Sequence, residues 1–192
     1  MIFLEVHTCQ IAIRTKPLLS PYHLCLKRIL SESLGMASKS IKKAYAPLID
    51  SGMAATSEQS PERTLFRLKS GESFLGFLNS EIVGTITIMK DDNLEPIPWF
   101  KKPGVFWFQQ FAIRPGFQGK GLGGELLSFA ESFALTEGAN ELALDTAEVA
   151  KSLVEWYRSR GYRFIEYCQL PGVSYHSIVL SKKLHIAVSA VD

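Results

Sequence analysis

The chain has 192 residues, 46% of them hydrophobic and 21% charged, and its 21 basic and 19 acidic residues give a formal net charge of +2. This balance excludes a disordered chain and gives no reason to expect nucleic acid or an anionic membrane as the main partner. The 3 cysteines form no CxxC pair, which argues against a disulfide framework, and no apolar run reaches the roughly 18 residues of a membrane helix. We therefore expect one soluble, cytoplasmic domain over residues 1–192.

The first third of the chain predicts a strand and two helices. The strand is expected over 10–15, where Ile11 and Ile13 share one face. Ser20-Pro21 has the form of a helix start, because serine caps a first turn and proline suits the first helical position. Apolar residues follow this start at mostly helical spacing: Leu24, Leu26, Ile29, Leu30 and Leu34. A second helix is expected over 38–49, followed by a polar loop.

A β-hairpin is predicted next, with strands over 73–78 and 81–90 separated by Asn79-Ser80. The connection over 91–104 is long and carries three prolines beside Trp99. Long connections often have a function. Two interpretations stay open here: an aromatic loop that walls a substrate cleft, or a surface loop that packs Trp99 into the core.

The second half alternates strands with helices. We expect strands over 105–114, 141–146, 162–168 and 174–182, and helices over 121–137 and 149–160. Because a strand–helix–strand connection is right-handed, the strands over 105–114 and 141–146 are predicted to be parallel. Antiparallel hairpins followed by one such unit indicate a mixed α/β fold.

A glycine-rich turn, residues 118–124, separates a strand from an amphipathic helix. Glycine lets the backbone approach a ligand closely, and the first amides of a helix lack intrahelical partners. The helix dipole adds positive potential at the same place. The turn therefore predicts a cradle for a pyrophosphate.

Three nucleotide motifs compete for this turn. The P-loop pattern fails, because Arg114 stands at its first glycine and Gly121 at its Ser/Thr position. GxGxxG is matched literally and Asp145 follows about 20 residues later, but a dinucleotide fold needs repeated strand–helix–strand units. The third pattern, Gln/Arg-x-x-Gly-x-Gly/Ala, is satisfied by Gln118, Gly121 and Gly123.

Over roughly residues 10–184 the sequence resembles the GNAT acetyltransferase family, most strongly in the segments 111–123 and 154–164. The resemblance implies a central mixed, mostly antiparallel sheet with helices on both faces and a splayed parallel strand pair. It also implies acetyl-CoA as the acyl donor. Cofactor-binding residues follow from the matched positions: Gln118, Gly119, Lys120, Gly121, Leu122, Gly123 and Gly124 for the pyrophosphate, and Phe111, Ala112 and Ile113 for the pantetheine arm. Ala150 stands where relatives have an asparagine, so Ser152 is the alternative contact.

Tyr157 matches the family's general acid. A phenol with a pKa of about 10 can protonate a departing thiolate, whose thiol has a pKa of about 8.5. The family's glutamate base is replaced by Gln109 and Gln110. Asp145, Glu148 or a water molecule stay open as the base.

The predicted function is transfer of an acetyl group from acetyl-CoA to an amine by direct attack in a ternary complex. The acceptor is a small-molecule or peptide amine; nucleic acid, membrane and metal are not expected, and a homodimer is allowed. Two alternatives stay open. One is an acyl-CoA-binding module with impaired catalysis, and the other is a nicotinamide-dinucleotide enzyme that uses the literal GxGxxG.

Overall fold

The computed structural model describes residues 24–29, 66–79, 81–90, 96–171 and 174–185. Within these ranges lie seven strands: β1 (Cys25–Ile29), β2 (Glu72–Leu78), β3 (Glu81–Met89), β4 (Val105–Ile113), β5 (Glu141–Ala147), β6 (Arg163–Cys168) and β7 (Ser177–Lys183). Two α-helices, α1 (Leu122–Thr136) and α2 (Lys151–Arg158), follow β4 and β5, and 3₁₀ turns cover Pro98–Lys101 and Pro115–Phe117. No helix in the described ranges is both long and apolar enough to cross a membrane.

The strands form one sheet in the order β1-β2-β3-β4-β5-β7-β6. β4 and β5 are parallel, as the crossover rule predicts, whereas the pairs β1–β2, β5–β7 and β6–β7 are antiparallel. The predicted hairpin is confirmed as β2 and β3. The mixed α/β fold class is therefore confirmed.

The predicted first helix is wrong over its described part, because residues Cys25–Ile29 form β1. This strand pairs with β2 in the register Cys25↔Phe77. The Leu24 and Leu26 side chains both lie against the bare backbone of Gly76, at 3.3 Å and 3.7 Å from the position of an added Cβ. Leucines two residues apart fit the face of a strand, and backbone pairing with β2 overrides the weak helical spacing. The predicted strand over 10–15, the helix over 38–49 and the polar loop lie outside the described residues.

The chain divides into two compact units, and the first comprises residues 1–87 and 110–127. Its described part holds a close approach between α1 and β3. A Cβ at Gly84 would lie 2.8 Å from Ile113 Cδ1 and 3.2 Å from both the Ala112 carbonyl oxygen and Leu126 Cδ2. The glycine therefore lets the end of β4 and the first turns of α1 pack tightly.

The second unit comprises residues 88–109 and 128–192. One face of its strands carries a buried apolar cluster, made of Met89, Ile97, Phe100, Val105, Trp107, Ala143 and Val179. Phe100 is fully buried and stacks on Trp107 with ring centroids 4.9 Å apart. Trp99 is partly buried and packs against the same cluster. The structure thus favours the interpretation in which the 91–104 connection packs Trp99 into the core.

Candidate active site

The glycine turn joins β4 to α1 inside the first unit. Its start is held by two hydrogen bonds: the Arg114 amide donates to the Val83 carbonyl at 2.8 Å, and Gln118 Nε2 donates to the Ile113 carbonyl at 2.8 Å. Gly119 and Gly121 have φ of +75° and +84°. Residues that carry a side chain rarely adopt this left-handed backbone conformation, so glycine is strongly favoured at both positions.

Some amides of the turn donate within the backbone and others do not. The Gly124 and Glu125 amides donate to the Gly121 carbonyl at 2.9 Å and 3.2 Å. Within the described residues, no backbone carbonyl accepts from the amides of Gly119, Gly121 or the first two residues of α1. Among the described residues, an added Cβ at Gly119 would meet no heavy atom within 4 Å, so the backbone at Gly119 is open to approach. The turn therefore fits a pyrophosphate group.

Lys120 supplies positive charge at the same turn. Its Nζ donates to the Gly116 carbonyl at 3.1 Å and lies 5.2 Å from the centre of the Phe117 ring. These contacts fold the lysine back across the turn while it stays exposed. An ammonium in this position adds electrostatic attraction for a bound phosphate.

The parallel strand pair opens after a short contact. β4 and β5 pair only over 105–107 and 141–143, although both strands continue beyond these residues. Gln110, in the middle of β4, has φ of +53°, which a non-glycine residue adopts at a cost in free energy. The predicted splay is thus present. The segment Phe111–Ile113, predicted to pair with a pantetheine arm, follows the strained residue.

Tyr157 lies in the second unit and is held by aromatic packing. Its side chain is 3% exposed, and its ring centroid is 5.6 Å from that of Tyr162 and 6.1 Å from that of Phe108. Burial raises the pKa of Tyr157 well above the usual 10, and the negative charge of Asp145 raises it further. The phenol therefore keeps its proton at neutral pH, as a general acid must before it reacts.

The remaining candidates are placed as follows. Ser152 is exposed in the first turn of α2, and Ala150 stands at the N-cap without a side-chain hydrogen bond. Glu148 is exposed, and its amide donates to the His176 carbonyl at 2.9 Å. Asp145 is partly buried on β5, and Gln109 Nε2 contacts Met89 Sδ at 3.5 Å. Phe111–Gly124 belong to the first unit; Asp145, Ser152 and Tyr157 belong to the second.

Two features near the candidates were missed by sequence reasoning. The rings of Phe108 and Tyr162 flank Tyr157, but the sequence assigned both residues only to strands. The single available signal was that Tyr162 follows Gly161, and glycine is common just after the end of a helix. The positive φ of Gln110 has no local signal at all, because glutamine does not favour the left-handed region.

Comparisons with known proteins bear on this geometry. The acetyltransferase (GNAT) family model matches residues 41–162. A GNAT family acetyltransferase from Staphylococcus aureus Mu50 has 17% identity and a TM-score of 0.61, covering 85% of this chain and 100% of that chain. The yncA acetyltransferase from Salmonella typhimurium, solved with its cofactor acetyl-CoA, has 16% identity and a TM-score of 0.57, covering 88% of this chain and 99% of that chain.

A GNAT family acetyltransferase from Elizabethkingia anophelis, also solved with acetyl-CoA bound, has 23% identity and a TM-score of 0.52, covering 65% of this chain and 84% of that chain. At these identities the likeness shows the shared fold. No curated protein matches the chain by sequence.

Proposed function

Because the family model matches more than half of its length, this chain belongs to the acetyltransferase (GNAT) family, and we propose that it transfers the acetyl group of acetyl-CoA to an amine. Acetyl-CoA is the acyl donor of this family, whose members act on small-molecule or peptide amines. The observation that supports the proposal is the glycine turn, in which the amides of Gly119, Gly121, Leu122 and Gly123 have no carbonyl acceptor among the described residues. This turn follows a strand that has stopped pairing with its parallel neighbour.

In this proposal, one set of groups in the chain binds the cofactor and another transfers the proton. The turn over 118–124 holds the pyrophosphate through the amides that no described carbonyl accepts, those of Gly119, Gly121, Leu122 and Gly123, together with the Lys120 ammonium. The main chain of Phe111, Ala112 and Ile113 pairs with the pantetheine arm, and Ser152 is a further contact. Bound acetyl-CoA supplies the activated thioester. The amine nitrogen forms the new C–N bond, the C–S bond breaks, and Tyr157 Oη gives its proton to the departing sulfur. The proton that the nitrogen loses passes to water, and the Tyr157 phenolate takes a proton back from water.

Calorimetric titration with acetyl-CoA tests the glycine turn. Gly119 and Gly138 are structurally matched, since both have positive φ, at +75° and +94°, and neither has a heavy atom within 4 Å of an added Cβ. Each alanine variant should lose a similar free energy of unfolding, about 1 kcal/mol. Only Gly119→Ala places a methyl group in the cradle, so we expect about a tenfold or greater loss of acetyl-CoA affinity in that variant alone.

Absence of acetyl-CoA binding to the natural chain would refute the proposal. Binding of NAD in its place would show that the literal GxGxxG match was the true signal. Equal acetyl-CoA affinity in the two alanine variants would remove the glycine turn from the site.

A second candidate function is an acyl-CoA-binding module that does not turn over. The observation in its favour is chemical: Gln109 and Gln110 replace the family's glutamate, and a glutamine cannot take a proton. Thiol release from acetyl-CoA, measured with a panel of primary amines, separates the two functions. Amine-dependent release supports the enzyme, whereas binding without release supports the module.

A further inference from the structure

The end of α2 is closed on Tyr157 itself by a main-chain cap. The Tyr162 amide donates to the Tyr157 carbonyl at 3.2 Å, and the Gly161 amide donates to the Arg158 carbonyl at 3.0 Å. Gly161 supplies the left-handed turn between them, with φ of +88°. These are the two hydrogen bonds of a Schellman motif, in which the residue after the glycine often packs back against the helix. Here the Tyr162 ring lies 5.6 Å from the Tyr157 ring, so the cap holds Tyr157 by its main chain and by its ring.

The side chain of Lys182, on β7, lies across this cap. A Cβ added at Gly161 would lie 3.6 Å from Lys182 Cε and 3.9 Å from Lys182 Cδ, which are ordinary van der Waals distances. The ammonium of the same lysine is 5.9 Å from the centre of the Tyr162 ring. The stem of the lysine therefore covers the glycine of the cap, and its charge lies over the ring that supports Tyr157.

Glu131 of α1 holds the Lys182 ammonium in this place. Lys182 Nζ donates to Glu131 Oε2 at 2.6 Å, and the lysine and glutamate side chains are 28% and 17% exposed. An ion pair that is partly removed from water is more strongly coupled than a surface pair, and loss of one partner leaves the other charge uncompensated. Burial raises the pKa of Tyr162, and the negative charge of Glu131 raises it further, so the carboxylate also acts on the cap.

We propose that the Glu131–Lys182 ion pair positions Tyr157 for proton donation by holding the Gly161–Tyr162 cap against α1 and β7. This inference rests on the proposed acetyltransferase function and adds two positioning residues to it. Both residues act through the cap, and Tyr157 alone gives the proton. The cap contacts are made by the amide and the ring of Tyr162, which a phenylalanine would keep. Position matters because a displacement of about 1 Å in a reacting group can cost about a hundredfold in rate.

A second ion pair in the same unit provides a matched control. Lys90, at the end of β3, pairs with Glu137 of α1, and its Nζ lies 5.7 Å from the centre of the Phe106 ring. Like Lys182, this lysine joins the sheet to α1 and lies over an aromatic ring. It differs in two ways: its side chain is 43% exposed, and Phe106 belongs to β4 and not to the cap of α2.

The test compares Lys182→Met with Lys90→Met, because each variant keeps most of the apolar stem and removes one ammonium. Thiol release is measured with acetyl-CoA and the primary amine that gives the fastest release with the natural chain. We expect Lys182→Met to lower kcat about tenfold or more with little change in the KM of either substrate, since only the placement of the proton donor is altered. Lys90→Met should keep the kcat of the natural chain.

Two further variants separate positioning from a general loss of stability. Lys182→Arg keeps the charge and should restore part of kcat, whereas Glu131→Gln should reproduce the defect of Lys182→Met. Urea denaturation gives the free energy of unfolding of every variant. If kcat falls in proportion to the loss of unfolding free energy in all of them, Lys90→Met included, the role is merely structural and the inference is overturned.

A spectroscopic measurement reports on Tyr157 without turnover. The chain has 6 tyrosines, so isotope-labelled tyrosine rings give a small set of magnetic resonance signals, and Tyr157→Phe identifies the signal of Tyr157. The chemical shift of this ring depends on the rings around it. We therefore expect the signal to move in Lys182→Met and to keep its place in Lys90→Met. A signal that moves in neither variant would overturn the inference.

The two proposals fail differently. If acetyl-CoA does not bind to the natural chain, or binds without amine-dependent thiol release, the acetyltransferase function fails and the inference falls with it. If the natural chain acetylates an amine while Lys182→Met and Lys90→Met have the same kcat, the inference is overturned and the function stands. A Tyr157 signal that moves in Lys182→Met without any loss of kcat would likewise overturn the inference.

Discussion

At the residue scale, the environment of Tyr157 keeps the phenol protonated, which is the state in which the proposed general acid has to start. The ring is fixed between aromatic neighbours, and burial, followed by the charge of Asp145, raises the pKa of the phenol. A proton held this firmly stays on the oxygen through the neutral range and transfers only when a strong base forms beside it. In the proposed reaction, the departing thiolate is the base that takes this proton.

We predict that Tyr157→Phe lowers kcat about a hundredfold or more and leaves acetyl-CoA affinity unchanged, because only the hydroxyl is removed. Tyr162→Phe is the matched control, since it removes a buried hydroxyl from the same aromatic group. Steady-state kinetics and calorimetry measure the two quantities. Unchanged kcat in Tyr157→Phe would mean that another group protonates the sulfur.

At the element scale, Gly104 sets the start of the parallel strand pair. Its carbonyl accepts from the Asn140 and Glu141 amides at 2.7 Å and 3.1 Å, which joins the beginning of β4 to the beginning of β5. Its φ is +75°, and an added Cβ would overlap the Asn140 side-chain amide. A side chain at this position therefore combines backbone strain with a steric clash.

We predict that Gly104→Ala lowers the free energy of unfolding by about 1–3 kcal/mol. Gly116→Ala is the control, because its Cβ meets nothing within 4 Å and its φ is not positive. Urea denaturation measures both variants. Equal stability of the two variants would show that the start of β5 adjusts to the extra methyl group.

At the scale of the whole molecule, Glu141 links stability to pH through three strands of the sheet. Its carboxylate on β5 accepts from Arg163 Nη2 of β6 at 2.8 Å and from Ser181 Oγ of β7 at 2.6 Å. Burial opposes the charged form, but these hydrogen bonds and the Arg163 charge outweigh it and lower the pKa of Glu141 below its usual 4.5. The resulting stability is present above that value and is lost as the pH falls through the lower folded-state pKa.

We predict that Glu141→Gln costs about 1–2 kcal/mol at neutral pH and loses less stability on acidification than the natural chain. Glu155→Gln, which alters an exposed pair, should follow the acid profile of the natural chain. Chemical denaturation at several pH values between neutral and about 3 gives the comparison. Parallel profiles for Glu141→Gln and the natural chain would contradict the assignment.

Three expectations about the whole molecule stay predictions. These are the single acetyltransferase-like domain over residues 1–192, the cytoplasmic location and the allowed homodimer. Ultracentrifugation with and without acetyl-CoA addresses the oligomeric state.

Local chemistry by itself determined much of this protein. The β2–β3 hairpin and the parallel β4–β5 connection were readable because each depends on neighbours in the chain. The glycine turn was readable for the same reason: its amides and its helix start are a few residues apart.

Only the tertiary structure decided which distant residues share a face. β1 is a strand because β2 pairs with it, and Trp99 packs inward because Phe100 and Trp107 form a core beside it. Asp145, Val179 and Glu166 lie in a row across β5, β7 and β6 because of the register of these three strands. That register includes an irregularity in β6 between Phe164 and Glu166. Spacing along the chain cannot encode such a row, because one residue of shift in any strand would turn its side chain to the other face.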